Sequence, residues 1–155
     1  MKILVTSDSH GDKYALLDAA KQESPDCMLH LGDFDSDCSL VISNCPDTAL
    51  RAVRGNCDRF SRELDVDEFT LGGKRFVMTH GHLYSVKTGY AKVIEHADRQ
   101  GADVLLFGHT HTPYYELVGG MLVANPGSIG YPPDKSYAVI NIDNGSISCE
   151  IKFMP

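Results

Sequence analysis

The first thirty residues constrain the fold most, because they read as two buried strands joined by a helix. Residues 2–7 form one short apolar strand and residues 27–31 form a second. Between them, residues 12–23 carry apolar side chains at helical spacing, and the helix is expected to stop before Pro25. Adjacent parallel strands need such a crossover, so the segment predicts a βαβ unit.

The remainder of the chain mixes this α/β pattern with hairpins. Residues 34–47 are polar and irregular, which predicts a loop with a short helix, whereas residues 87–100 show helical spacing before an apolar strand at 102–107. Two-residue hairpin turns are predicted at Gly72-Gly73, Gly119-Gly120 and Asn144-Gly145. The order favours an α/β fold, either a mixed sheet or two packed sheets with helices outside. One domain is expected over residues 1–155.

The charge and cysteine content restrict the partners and the compartment. Fourteen basic residues against 21 acidic ones give a net charge of −7, and there is no basic run. Stable binding of nucleic acid or of a membrane is therefore not expected. The five cysteines include no Cys-x-x-Cys motif and read as reduced thiols. With no apolar run long enough for a signal peptide or a membrane span, a cytoplasmic location is predicted.

Polar side chains follow five of the predicted strands. Ligands of open α/β sheets bind at the carboxyl ends of strands, so these positions are candidate site residues. Seven of them carry oxygen or nitrogen donors: Asp8, His10, Asp33, Asn56, His80, His109 and His111. Taken alone, His109-x-His111 reads as easily as a polar turn before Pro113, but the seven together predict a metal site.

The number and type of the donors suggest the chemistry. Seven donors exceed one closed zinc site and suit two divalent ions about 3.5–4 Å apart, bridged by a carboxylate and a water. Nitrogen and oxygen donors without thiolate favour Mn²⁺, with Fe, Zn²⁺ or Ni²⁺ as alternatives, over Ca²⁺ or Cu(I). Two such ions with two carboxylates and a bridging hydroxide leave about one positive charge, which would attract a phosphoryl group. In-line attack of the hydroxide on phosphorus is the predicted reaction.

Five short motifs, in this order, resemble those of the calcineurin-like metallophosphoesterases. They are Asp8-x-His10, Gly32-Asp33, Gly55-Asn56-x-Asp58, His80-Gly81-His82 and Gly108-His109-Thr110-His111. The small size and the Asn-Cys-Asp sequence are similar to the YfcE-type phosphodiesterases of bacteria and archaea. The resemblance implies a four-layer αββα sandwich, with two packed mixed β-sheets flanked by helices.

The resemblance also implies two metal positions bridged by Asp33. The first would be held by Asp8, His10, Asp33 and His111. The second would be held by Asp33, Asn56, His80 and His109. Asp58 would support these ligands from behind. Asp33, Asn56 and His82 are the predicted catalytic residues, and the sequence leaves open whether His82 faces the substrate.

One position departs from the wider family. Most members have a histidine between the Asn and the Asp, near the leaving group, and this chain has Cys57. Protonation of the leaving group is therefore open. Arg54 and Arg59 are candidates for contact with phosphate and equally for ion pairs with nearby carboxylates. His30 lies within a strand and is expected in the core or behind the ligands.

The leading prediction is a hydrolase, a metal-dependent phosphodiesterase acting on a small phosphate ester. A phosphomonoesterase is the first alternative, because the motifs specify phosphate chemistry but not the number of ester bonds. A metal-binding scaffold for protein interactions is the second, because a retromer subunit resembles this fold with eroded ligands. All seven predicted ligands are present here, which favours an enzyme. Residues 34–46 and 83–88 are expected to line the pocket, and neither the substrate nor the oligomeric state can be read from them.

Overall fold

A computed structural model describes residues 1–155 and contains two five-stranded β-sheets. The strands are β1 (Lys2–Thr6), β2 (Cys27–His30), β3 (Ala49–Ala52), β4 (Val66–Leu71), β5 (Lys74–Thr79), β6 (Val104–Phe107), β7 (Tyr114–Val118), β8 (Met121–Asn125), β9 (Ser136–Asp143) and β10 (Ser146–Phe153). The helices are α1 (Lys13–Glu23), α2 (Cys38–Asn44) and α3 (Ala91–Arg99), with short 3-10 helices at Asp35–Asp37, His82–Tyr84 and Val86–Thr88.

Both sheets are mixed, as predicted. The first has the order β10-β9-β1-β2-β3, in which β1, β2 and β3 run parallel and β9 and β10 form an antiparallel hairpin. The second has the order β4-β5-β6-β8-β7, with β5, β6 and β8 parallel and an antiparallel strand at each edge. The parallel strands of each sheet therefore end at a common edge.

Alternation along the strands divides the core into layers. Val5 and Leu106 point into a cluster of 15 buried residues that lies between the two sheets. Leu4, on the opposite face of β1, packs with α1 and α2, while Leu105 packs with α3 on the second sheet. The four-layer αββα arrangement is confirmed. No helix is long and apolar enough to cross a membrane.

The predicted helix over residues 87–100 is wrong at its start. α3 begins at Ala91, and the preceding residues form a 3-10 turn that ends at Gly89. Gly89 has φ 146°, a conformation outside the helical region that interrupts the pattern. The polar segment 34–47 does contain a short helix, α2, and the three predicted hairpin turns lie between paired strands.

A buried carboxylate ties α1 to three adjacent strands of the first sheet, β1, β9 and β10. Glu23, with 3% of its side chain exposed, lies 2.7 Å from Lys2 Nζ and 2.9 Å from Lys152 Nζ. It also accepts a 2.9 Å hydrogen bond from the Tyr137 hydroxyl. Burial alone would raise the pKa of Glu23, but these three donors lower it to about 2. The folded state therefore binds the ionised form more strongly than the unfolded chain does.

We predict that Glu23→Gln lowers the free energy of unfolding by about 2 kcal/mol at neutral pH. The folded pKa lies below the ordinary 4.5, so the contribution is complete above that value and is lost as the pH falls toward about 2. Urea denaturation at several pH values measures this. Glu150→Gln, an exposed neighbour of the same lysine, is the control, with an effect under about 0.5 kcal/mol. If the difference in the free energy of unfolding between wild type and Glu23→Gln does not change with pH, the assignment is wrong.

Candidate metal centre

All seven predicted ligands converge where strands of both sheets end. Asp8 and His10 follow β1, Asp33 follows β2, and Asn56 follows β3. The second sheet supplies His80 after β5, together with His109 and His111 after β6. Candidate donor atoms form three compact groups, each within 4.8 Å. The first is Asp8, His10 and His111, the second is Asp33, His80 and His109, and a third, which overlaps both, is His10, Asp33 and Cys57.

In the first group, one carboxylate faces two imidazoles. His111 Nε2 lies 3.0 Å from Asp8 Oδ1 and 3.2 Å from His10 Nε2. Two ring nitrogens at this distance cannot both carry hydrogen, so at least one presents a lone pair to its neighbour. These lone pairs and the carboxylate point at one place, which is the arrangement a cation requires.

The second group has the same character and is joined to the first. His80 Nε2 lies 3.1 Å from His109 Nδ1, 3.1 Å from Asn56 Oδ1 and 3.5 Å from Asp33 Oδ2. Asp33 Oδ2 is also 3.8 Å from His10 Nε2. Asp33 therefore lies between the two groups, as a carboxylate shared between them would.

Two further contacts show that these side chains fit a metal ion. Asp8 Oδ1 is buried, and its 3.0 Å contact with His111 Nε2 does not have the geometry of a hydrogen bond. A carboxylate oxygen without a hydrogen-bond partner is costly unless a cation occupies the place it faces. His80 Nδ1 lies 2.7 Å from the Leu31 carbonyl oxygen and must donate to it. That bond leaves the lone pair of His80 on Nε2, which faces the group.

Strained backbone brings these side chains together. Nine non-glycine residues have positive φ, and five of them are predicted ligands: Asp8, His10, Asp33, His109 and His111, with φ between 45° and 68°. A side chain in this region costs about 1–3 kcal/mol and persists only where the surroundings enforce it. Concentration of such residues at one place is typical of a functional site.

Asp58 holds the loop that carries Asp33. Its Oδ1 accepts hydrogen bonds from the backbone N–H groups of Phe34 at 2.7 Å and Asp35 at 3.1 Å. Its Oδ2 accepts from Asp33 N at 2.8 Å and Gly55 N at 2.7 Å. One carboxylate thus fixes three consecutive amides after β2, which is a supporting role behind a ligand.

Glycines allow the loops to approach this closely. A Cβ on Gly55 would lie 2.1 Å from Asp33 Oδ1, and one on Gly108 would lie 2.0 Å from Ser7 Oγ. Neither contact is possible for a larger residue. Gly108 therefore brings His109 N near enough to donate to Asp8 Oδ2 at 3.1 Å.

The charged side chains of the site shift one another's pKa values. Burial would raise the pKa of Asp8 and Asp33, but neighbouring histidines lower both below the ordinary value. Burial would lower the pKa of His80, yet Asp33 and Asp8 raise it. Burial and the charge of His80 lower the pKa of His109 to about 4. Both carboxylates are therefore ionised at neutral pH and His109 is neutral, as metal ligands need to be.

Comparison with known proteins agrees with this geometry. Residues 1–145 match the calcineurin-like phosphoesterase superfamily domain. The chain belongs to this family. It is 36% identical over 149 residues to a probable metallophosphoesterase, YsnB, of Bacillus subtilis, an alignment that spans 93% of this chain and 86% of the relative.

Two other similarities differ in what they support. The phosphodiesterase YfcE of Escherichia coli is 28% identical over 177 residues, spanning 92% of this chain and 89% of the relative. The crystal structure of a zinc complex of Vps29 from Entamoeba histolytica has the same fold, with a TM-score of 0.78, 20% identity and 99% of each chain covered. The family is one of metal-dependent hydrolases, and the Vps29 likeness concerns the fold alone.

The other predicted site residues of this phosphoesterase lie around the ligands. The His82 ring centroid is 5.4 Å from that of His80 and 6.2 Å from that of His109. The Cys57 N–H donates to Asp33 Oδ1 at 2.9 Å, and its side chain is exposed. Arg54 makes a two-pronged ion pair with Asp65, at 2.7 and 2.8 Å. Of the two roles predicted for Arg54, the structure therefore shows the ion pair.

Some residues at the centre were not identified from the sequence. Asp37 accepts hydrogen bonds from Ser9 Oγ at 2.7 Å and from Gly11 N at 2.9 Å, which fixes the turn that carries His10. The Tyr131 ring lies 5.1 Å from the ring of His111. Asp37 lies in a polar segment with no periodicity, and Tyr131 follows a turn, so neither had a local signal.

We predict that Asp58→Asn weakens metal binding about 10- to 100-fold while the protein stays folded. An amide presents N–H to two of the four backbone donors, so the loop carrying Asp33 loses its anchor. Calorimetric titration with Mn²⁺ measures the change, and circular dichroism checks the fold. Asp98→Asn, an exposed change on α3, is the matched control. Unchanged affinity in Asp58→Asn would mean that the carboxylate does not position the ligands.

Proposed function

We propose that this protein is a metal-dependent phosphodiesterase that binds two divalent ions, with Mn²⁺ as the expected metal and Fe, Zn²⁺ or Ni²⁺ as alternatives. The observation that carries the proposal is the pair of donor groups that meet at Asp33. Two ions at adjacent positions would acidify a water to make a nucleophile and would stabilise the charge on the phosphoryl oxygens. The predicted donors are nitrogen and oxygen, a set that suits Mn²⁺. The Cys57 sulfur lies near His10 and Asp33, but its thiol stays protonated at neutral pH.

The chain's own residues would divide the work as follows. Asp8, His10 and His111 hold one position, Asn56, His80 and His109 hold the other, and Asp33 is shared. The nucleophile would attack from the region enclosed by these groups. His82, at the edge of the second group, would face the substrate. Its Nδ1 is buried without a hydrogen-bond partner, so contact with a phosphoryl or leaving-group oxygen would fall to its other ring nitrogen, Nε2.

The leaving group would receive little help from Cys57. Burial and the nearby Asp33 carboxylate raise the pKa of the Cys57 thiol to about 11, so it stays protonated at neutral pH. A thiol is nevertheless a weak hydrogen-bond donor and is shorter than imidazole. Esters whose leaving groups need no proton should therefore be the better substrates.

The proposed substrate is a small phosphate diester. The phosphodiesterase relative supports the diester over the monoester, and the net charge of −7 argues against stable binding to nucleic acid or to a membrane surface. A scaffold role is less well supported, because a protein-binding surface has no need for strained backbone at five ligand positions. We also propose that the protein acts in the cytoplasm.

The reaction class is tested with two aryl substrates that differ only in the number of ester bonds. With Mn²⁺, the enzyme should hydrolyse bis(p-nitrophenyl) phosphate with a kcat/KM at least about tenfold above that for p-nitrophenyl phosphate. A chelator should abolish activity, and Mn²⁺ should restore it better than Mg²⁺, which prefers oxygen ligands. A preference for the monoester would favour the phosphatase alternative. Tight metal binding without hydrolysis of either ester would favour the scaffold.

We further predict that Cys57→Ala changes kcat/KM for the activated aryl diester less than about threefold. Nitrophenolate leaves without a proton, so a general acid contributes little with this ester. Cys57→His should help most with poor leaving groups. The matched control is Cys45→Ala, which removes another thiol, the one at the carboxyl end of α2. A loss of about 100-fold in Cys57→Ala with metal content unchanged would give the thiol a catalytic role.

A further inference from the structure

A cavity opens directly beside the metal ligands. It has a volume of about 290 Å³, and its lining includes Phe34 and Cys57. Phe34 follows the bridging Asp33 in sequence, and its ring centroid lies 5.6 Å from that of His10. Cys57 donates its N–H to Asp33. A phosphate ester bound at the metal ligands would therefore have one of its ester groups within reach of this cavity.

Two aromatic side chains that line this cavity are exposed to solvent. The side chain of Phe34 is 39% exposed, and that of Phe60 is 99% exposed. Single exposed apolar residues are common and need no explanation. Two phenyl rings that line one cavity next to a candidate active site differ from that case, because stacking on a planar ligand would remove both from water.

Phe34 is held in place at some cost. Its φ is 72°, in the left-handed region that disfavours bulky side chains, and its N–H donates to Asp58 Oδ1 at 2.7 Å. The same carboxylate fixes the N–H of Asp33. The backbone that carries the ring is therefore fixed relative to the bridging ligand, as a binding surface for one half of a substrate requires.

Polar groups of the cavity suit a heterocycle better than a hydrocarbon ring. Arg59 lines the cavity and forms no ion pair with a carboxylate. It differs in this from four other arginines, Arg51, Arg54, Arg75 and Arg99. Ser36 and Ser61 add hydroxyls. The lining also includes two carboxylates that are already hydrogen-bonded, Asp35 by the Ser61 hydroxyl and Asp58 by backbone N–H groups. Guanidinium and hydroxyl groups can bond to the nitrogens and carbonyls at the edge of a nucleobase. This volume is small for a ligand site, and it leaves room for one ring system.

We propose that this cavity binds the base of a nucleoside phosphate ester, stacked against Phe34 and Phe60 with its edge facing Arg59. The proposal rests on the proposed function, because it takes the phosphate to lie at the metal ligands. It narrows the substrate from any small phosphodiester to one in which an esterified alcohol is a nucleoside.

The test compares a nucleotide with a sugar phosphate that lacks the base and with an aryl phosphate. Mn²⁺-loaded protein is titrated calorimetrically with adenosine 5′-monophosphate, ribose 5-phosphate and phenyl phosphate. Wild type should bind the nucleotide at least about tenfold more tightly than ribose 5-phosphate. Phe60→Ala should reduce that ratio to near one, Phe60→Tyr should keep it, and Phe153→Ala, another exposed phenylalanine on β10, should leave it as in wild type. Arg59→Ala should reduce the preference for the nucleotide over phenyl phosphate.

Each other result overturns the proposal. Equal affinity of wild type for the nucleotide and ribose 5-phosphate would show that the cavity does not recognise a base. If phenyl phosphate also binds more tightly than ribose 5-phosphate, and by the same factor as the nucleotide, the cavity accepts any aryl ring and does not recognise a nucleobase. If Phe60→Ala changes the sedimentation of the protein but not the affinity ratio, the ring belongs to a protein interface. Hydrolysis of bis(p-nitrophenyl) phosphate is measured in parallel, so that failure of this subsite is distinguished from failure of the proposed function.

Discussion

The structure depends on placing two carboxylates and four imidazoles within a few ångströms of one another. Such a cluster repels itself or leaves lone pairs unsatisfied unless cations occupy it, and Asp8 Oδ1 is the clearest sign of that demand. The fold accepts left-handed backbone at five of the ligands to achieve it. Local strain of this kind is sustained by the cores between and outside the sheets, which contain no part of the site.

The sandwich makes the convergence possible. β1, β2 and β3 of one sheet are parallel, and β5 and β6 of the other are parallel to each other, so the loops that follow them gather at common edges. Asp58 then connects the loop after β3 to the loop after β2 through backbone N–H groups. Main-chain hydrogen bonds thus position the loop that carries Asp33.

The strands, and the polar residues that converge beyond them, could be predicted from the sequence, whereas the two-sheet arrangement was implied by the resemblance to the metallophosphoesterases. Buried strands have a clear apolar pattern, and residues such as Asp33 and His80 lie just beyond them. The start of α3 was misplaced because its side-chain periodicity continues through the 3-10 turn before Gly89. The partner of Arg54 and the position of Phe60 could not be predicted, because both depend on how the loop after β3 folds back. Loops lack the periodicity on which sequence reasoning depends.

The most direct test of the central claim is a crystal structure of the Mn²⁺-loaded protein with anomalous diffraction at the manganese edge. Two anomalous peaks are expected in each molecule. One should be ligated by Asp8, His10 and His111, the other by Asn56, His80 and His109, with Asp33 in contact with both. A single peak, or a second peak that does not contact Asp33, would contradict the shared-carboxylate site on which the proposed chemistry depends.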